Sequence, residues 1–199
     1  LRMDQATTWE EFRDATNYSH ITGENMIWAD RDGNIGWQAV GIAPLRRKFS
    51  GLVPVPGDGR NEWDGYLEIK QKPNAFNPAV GFIETSNSNY TPPDYPNLDA
   101  IAYTWTDPYR WARGSELLSS GRKFNMSDMI EFQHDYLSIP ARSLVPLFKD
   151  LHADDRQVEA ARQMLMDWDF RLDKDSIEAG IYVAFERQLL ENIETLKVP

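Results

Sequence analysis

At 199 residues, with 41% hydrophobic and 26% charged side chains, the chain is long enough to bury a substantial core and has the composition of a globular protein. Its formal net charge of -10 and pI near 4.8, with no Lys/Arg run longer than the triplet at 46–48, set it against a phosphate backbone, so nucleic acid is not an expected partner. The absence of cysteine excludes disulfides, thiolate metal sites and a cysteine nucleophile from these residues, and no stretch approaches the roughly 18 apolar residues of a helical membrane span, so no membrane partner is expected.

The chain begins at Leu1 with neither an initiator Met nor the charged and apolar regions of a signal peptide, and it reads as a processed or excised piece of something longer. Thr8 can cap a short helix that sets Trp9, Phe12 and Ala15 on one side. Residues 26–29 and 35–40 read as two strands joined by Arg31-Asp32-Gly33-Asn34, where Asp-Gly supplies the positive φ of a tight hairpin. The Pro- and Gly-rich stretch 44–78 is expected to wrap the surface without regular elements. Residues 83–86 read as strand again, and 87–99 as loop. From Pro108 onward the pattern is helical: a first stripe of Tyr109, Ala112, Leu117 and Leu118, then Asp128 with Glu131 as the capping pair of a second helix. Pro140 suits the first turn of a third helix, and Asp154-Asp155 opens a fourth that ends near Trp168. Ser176 caps the last, with Ile181, Tyr182, Phe185 and Leu189 on one face. Strands come first and helices second, which makes the chain α+β, with a hairpin- and loop-rich part over 1–107 and a helical part over 108–199.

The segment most suggestive of chemistry is 81–96, GFIETSNSNYTPPDYP, where a strand pattern gives way to an Asn-rich turn before paired prolines. A neutral amide such as that of Asn87, at the end of a strand, can donate a hydrogen bond to an oxyanion. Upstream lie 25–41, NMIWADRDGNIGWQAVG, and 53–65, VPVPGDGRNEWDG; downstream lie Asp94-Tyr95-Pro96 and 165–176, LMDWDFRLDKDS. Taken together and in this order, over about residues 9–190, the set resembles the penicillin acylase (penicillin amidase) family of N-terminal-nucleophile hydrolases.

That resemblance implies an αββα sandwich of which this chain supplies some strands and most of one helical layer. The missing strands would leave sheet edges and apolar surface open to self-association. It implies an amidohydrolase that cleaves a linear, non-peptide amide of a small molecule and releases an acyl group, of the penicillin/cephalosporin or acyl-homoserine-lactone acylase type. The nucleophile, usually Ser, is expected upstream and exposed by autoproteolytic processing, its own α-amino group acting as base. Partners would be the small α chain and the rest of the large β chain, so the fragment alone is expected to be inactive. The place of work implied is the periplasm or the outside of the cell. Residue by residue, Asn87 would be the oxyanion donor, with Asn89, two positions on and on the same side of an extended chain, as the alternative register. Arg110 would orient the Asn amide through its oxygen, with Arg113 as the competing candidate. Asp99 and the carbonyl of Gly51 match positions where some relatives hold a structural calcium, and no cofactor is expected for the chemistry itself.

Read without the family, an Asn before a Pro-rich turn is a local backbone cap, Arg110 a surface charge at a helix start, and Asp99 a turn or helix cap. Asp30-Arg31-Asp32-Gly33-Asn34 begins like an EF-hand loop but has Gly41 where the bidentate Glu belongs, and Gly57-Asp58-Gly59 lacks the strand and helix of a dinucleotide site. His20, His134 and His152 share no ligand spacing. Trp28, Trp37 and Trp63 read as core and hairpin packing and not as a sugar platform, since glycoside hydrolysis needs two facing carboxylates. The different-class alternative is a noncatalytic binding or scaffold domain of a divergent relative.

Overall fold

The computed structural model describes residues 1–46 and 48–197, excepting the side chain of Lys197. The chain divides into two units, Leu1–Asp107 and Pro108–Pro199.

The first unit is built around a hairpin. Strand β1 (Asn25–Ala29) runs antiparallel to β2 (Ile35–Ala39), with Trp28 opposite Gly36 and Ile27 opposite Trp37. The turn between them is closed by Asp30, whose carboxylate accepts the Asp32 and Asn34 backbone N–H groups at 3.0 and 2.9 Å and the Asn34 amide at 2.8 Å. These bonds, the Asn34 side chain first, hold the Asp30 carboxyl below its ordinary range. Gly33 alone in the turn takes a positive φ, +87°. Helix α1 (Trp9–Thr16), capped by the Thr8 hydroxyl accepting from Glu11 N–H at 3.2 Å, covers one face of this sheet. Phe12 meets Trp28 at 5.4 Å between ring centroids. Gly36 lets the Trp9 indole lie directly on β2, since a Cβ there would come within 2.5 Å of that ring. Gln38, fully buried on the same face, accepts from Arg13 Nε at 3.0 Å and donates to the Ile69 carbonyl at 2.9 Å. Every polar atom of that amide therefore has a partner, which makes its burial tolerable.

The stretch 44–78 departs from the expectation of an irregular wrap. It contributes β5 (Asn74–Phe76), which pairs antiparallel with the far side of β2 and gives the sheet order β1-β2-β5. It also completes a two-stranded sheet of β3 (Ala43–Pro44) and β4 (Tyr66–Leu67), over a small core of Ala43, Leu67 and Ala100 that includes the short helix α2 (Leu98–Ile101). Proline density hides these strands because Pro44 and Pro73 stand at strand ends, where no ladder donor is required. The longest irregular part among the described residues of this stretch is 48–65, and most of it is exposed. Trp63, expected in a packed position, is 53% exposed and touches Tyr66, whereas Trp28 and Trp37 are buried.

The second unit is helical: α3 (Tyr109–Leu118), α4 (Met126–Gln133), α5 (Ile139–Leu144), α6 (Arg156–Met166) and α7 (Ile177–Lys197). The cap of α4 is Asn125, whose side chain accepts from Ser127 and Asp128 N–H while Asp128 accepts from Asn125 N–H, so Asp128 is the inner member of the capping box and not its first residue. Asp155 and Ser176 cap α6 and α7 as expected. The core joins α5, α6 and α7 through Ala141, Val145, Leu165, Trp168, Ala179 and Tyr182. Trp168 packs on Tyr182 at 5.6 Å, and Phe148 meets Phe185 edge-on at 5.0 Å.

Candidate active site

Within the segment 81–96, Tyr90 packs on the face of the three-stranded sheet opposite α1. Trp37 points there from the central strand and donates its indole N–H to the Asn25 side chain at 2.7 Å. The Tyr90 ring packs against Trp37 at 5.3 Å. The tyrosine hydroxyl in turn accepts from Glu84 N–H at 3.2 Å, and the Ser86 hydroxyl donates to the Glu84 carboxylate. Ser88 N–H closes a turn onto the Thr85 carbonyl at 2.6 Å.

Residues 83–86 are therefore not a strand, and Asn87 does not end one. A strand lasts only where a neighbour takes up its backbone ladder. Here the Glu84 N–H goes to a side chain, and the Thr85 carbonyl goes to a residue three positions on. Ser86 and Asn87, at the centre of that turn, have φ of +34° and +57°. Two successive positive φ values are the pattern of a type I′ turn, which Asn tolerates and which costs Ser of order 1–3 kcal/mol. The Asn87 carbonyl accepts from the Thr106 hydroxyl at 3.2 Å, and its side chain lies on the exposed surface.

The Asn89 side chain accepts from Thr91 N–H at 2.9 Å, a local turn that commits its oxygen. Arg113 donates to both carboxylate oxygens of Asp135, at 3.1 and 2.7 Å, and to Glu116 Oε1 at 2.9 Å, while Arg142 donates to both oxygens of Glu116, at 3.0 and 2.8 Å. The guanidinium of Arg113 holds the Asp135 carboxyl below its usual range, and Asp135 raises the Arg113 pKa in return. Arg113 thus ties α3 to the connection between α4 and α5. Arg110, three positions earlier in α3, stands on the exposed side of the helix.

Asp99 and Gly51 are brought together, but around a guanidinium. Arg46 Nη1 donates to the Asp99 carbonyl at 3.2 Å, and a Cβ on Gly51 (φ +81°) would come within 2.8 Å of Arg46 Nε. Tyr103 is hydrogen-bonded to the Asp99 side chain, which raises the phenol pKa. Among the described residues no group of three or more His, Cys, Asp or Glu could hold a metal. A fixed cation between two candidate ligands opposes a second cation that wants six to eight oxygens, so these residues alone do not fit calcium.

Sequence reasoning passed over Tyr90, Thr106 and Arg46. Each acts on the site through contacts between residues distant in the chain or through a backbone carbonyl, and neither leaves a spacing signal.

The comparisons with known proteins point one way. The family described as penicillin amidase matches residues 1–198. An acyl-homoserine lactone acylase QuiP from Pseudomonas fluorescens (strain Pf0-1) is 32% identical over 96% of this chain and 25% of its own length. Penicillin acylase 2 proenzyme from Pseudomonas sp. (strain SE83) is 32% identical over 94% of this chain and 24% of its own. Among solved structures, a thermostable penicillin G acylase from Alcaligenes faecalis superposes with a TM-score of 0.67 at 30% identity, covering 88% of this chain and 32% of that one. The chain therefore spans about a quarter of the length of these curated relatives.

Proposed function

This chain belongs to the penicillin amidase family, and on that premise we propose that it is one section of an enzyme that hydrolyses a linear amide and releases an acyl group. The observation that carries the proposal is the family match along residues 1–198, which takes in the turn bearing Asn87. Substrates of the class named by its relatives, acylated homoserine lactones and penicillins, supply the amide. The nucleophile, the acyl pocket and the partner chains are assigned to the three quarters of the relatives' length that this chain does not span. A structural calcium, if the whole enzyme holds one, draws most of its oxygens from there as well. The periplasm or the cell exterior is the proposed place of work.

In this reading the nucleophile's hydroxyl gives its proton to its own α-amino group as its oxygen forms a C–O bond to the amide carbon, and the carbonyl oxygen becomes an oxyanion. The intermediate collapses as the C–N bond breaks and that proton passes to the leaving amine nitrogen, and water then hydrolyses the acyl ester. Asn87 donates its side-chain N–H to the oxyanion, an interaction worth about 2.7–4 kcal/mol of barrier. Asn89 stands as the alternative register, since the bond its oxygen accepts from Thr91 N–H does not consume its N–H donors. Arg113, the alternative to Arg110 as the accompanying guanidinium, is held by Asp135.

The test is hydrolysis of chromogenic phenylacetyl and fatty-acyl anilides by the full-length protein that contains this chain, with Asn87→Ala and Arg110→Met alongside. The expected result is a wild-type protein that processes itself and turns over, and an Asn87→Ala variant that matures normally but is at least about a hundredfold slower. A mature Asn87→Ala variant with the wild-type rate would remove the donor assignment. Neither processing nor hydrolysis of any acyl substrate in the wild type would favour a binding scaffold.

A further inference from the structure

We infer that Thr106 is a positioning residue for the Asn87 amide, an inference that rests on Asn87 being the oxyanion donor. The donor's carrier is a turn that the chain would not hold by local preference alone, because Ser86 and Asn87 both take positive φ. Such a backbone persists where its surroundings fix it, and besides the Ser88 N–H bond to the Thr85 carbonyl at 2.6 Å several side chains fix it. The Ser86 hydroxyl reaches the Glu84 carboxylate, the Tyr90 hydroxyl takes the Glu84 N–H at 3.2 Å, and Tyr90 is anchored on Trp37 of the sheet at 5.3 Å.

Those contacts hold Ser86 and the residues on either side of the turn. Thr106 acts on Asn87 itself, donating its hydroxyl to the Asn87 carbonyl at 3.2 Å from nineteen positions away. Fixing the peptide plane that follows a residue fixes its ψ, and with φ already set this fixes the direction of the Cα–Cβ bond. A side-chain donor two bonds further on then needs only its own rotamer to meet the oxyanion. Preorganisation of this kind acts on the chemical step and not on substrate capture, because the donor engages charge that develops only in the transition state.

The experiment compares Thr106→Val, Thr106→Ser and Asn87→Ala, singly and as the Asn87→Ala/Thr106→Val double variant, in the full-length protein with a phenylacetyl anilide. Expected for Thr106→Val is a kcat about tenfold lower with KM within about twofold. Thr106→Ser, which keeps the hydroxyl, restores the wild-type kcat, and Thr106→Val costs nothing further once Asn87 is Ala. A wild-type kcat in Thr106→Val, in a protein where Asn87→Ala has lost its rate, overturns the inference and leaves the donor reading standing. Equal losses in the Val and Ser variants, or full additivity with Asn87→Ala, also overturn it. A wild-type rate in Asn87→Ala removes the donor reading and this inference with it. Should Thr106→Val fail to fold, Tyr90→Phe tests the same mount by deleting the hydroxyl on Glu84 N–H. A severalfold lower kcat is expected there, and a wild-type kcat overturns the claim that the turn must be held.

Discussion

A residue's chemistry is fixed by what its neighbours have already taken. Asn87 and Asn89 carry the same amide two positions apart, and the Asn89 oxygen accepts from Thr91 N–H at 2.9 Å. Asn89→Ala is therefore expected to lower stability by about 0.5–2 kcal/mol, the cost of losing a side-chain cap, while leaving the anilide hydrolysis rate within about twofold. Chemical denaturation and steady-state kinetics on one preparation separate the two effects, and a hundredfold rate loss would exchange the roles of the asparagines. Glu159 shows the same rule in a charged group. Arg162 first, then Gln163 and the Ala153 N–H, hold its pKa down to about 2. A carboxyl depressed by folding stabilises above its ordinary value and loses that contribution as pH falls towards the depressed one, because the unfolded chain binds the proton first. Glu159→Gln is expected to flatten the decline of stability with falling pH between the ordinary carboxylate range and about 2, measured by urea melts across that window.

At the scale of elements, the helical unit has two kinds of tie. One is the apolar core of α5, α6 and α7, in which Leu165 is 4% exposed against Trp168 and Tyr182. Leu165→Ala is expected to cost about 2–5 kcal/mol, read from the denaturation midpoint at constant slope. The other is the bidentate pair of Arg113 and Asp135, whose side chains are 18% and 14% exposed. Arg113→Met should cost about 1.5–3 kcal/mol, the worth of hydrogen bonds to charged groups, and an unchanged melt would show that the pair contributes nothing net. Helix positions were legible in sequence because Asp155, Ser176 and Pro140 are local signals and the apolar stripes repeat within each helix. The cap of α4 was misplaced by three residues because Asn125 and Asp128 both carry cap chemistry, and only the geometry of the box tells which is first.

At the scale of the whole molecule, the acidic chain leaves apolar side chains in water. Leu52, Val53, Val55, Trp63 and Tyr66 are between 37% and 66% exposed on one irregular stretch and its neighbouring strand. The isolated chain is expected to self-associate, with an apparent mass that rises along a concentration series in light scattering; a constant monomer mass would count against it. Added calcium is expected to leave its thermal midpoint unchanged, since Arg46 already stands between Asp99 and Gly51, and a calcium-dependent rise would mean that the guanidinium yields its place. The sequence by itself determined the α+β order, the β1–β2 hairpin and the family, because turn residues, caps and ordered motifs act over short separations. Only tertiary structure decided that 83–86 is no strand, that 74–76 is one, that Arg113 is committed to Asp135 and that Thr106 grips Asn87. Those outcomes depend on which distant group takes up a given N–H, carbonyl or charge, and hydrogen-bond satisfaction is settled by proximity in space.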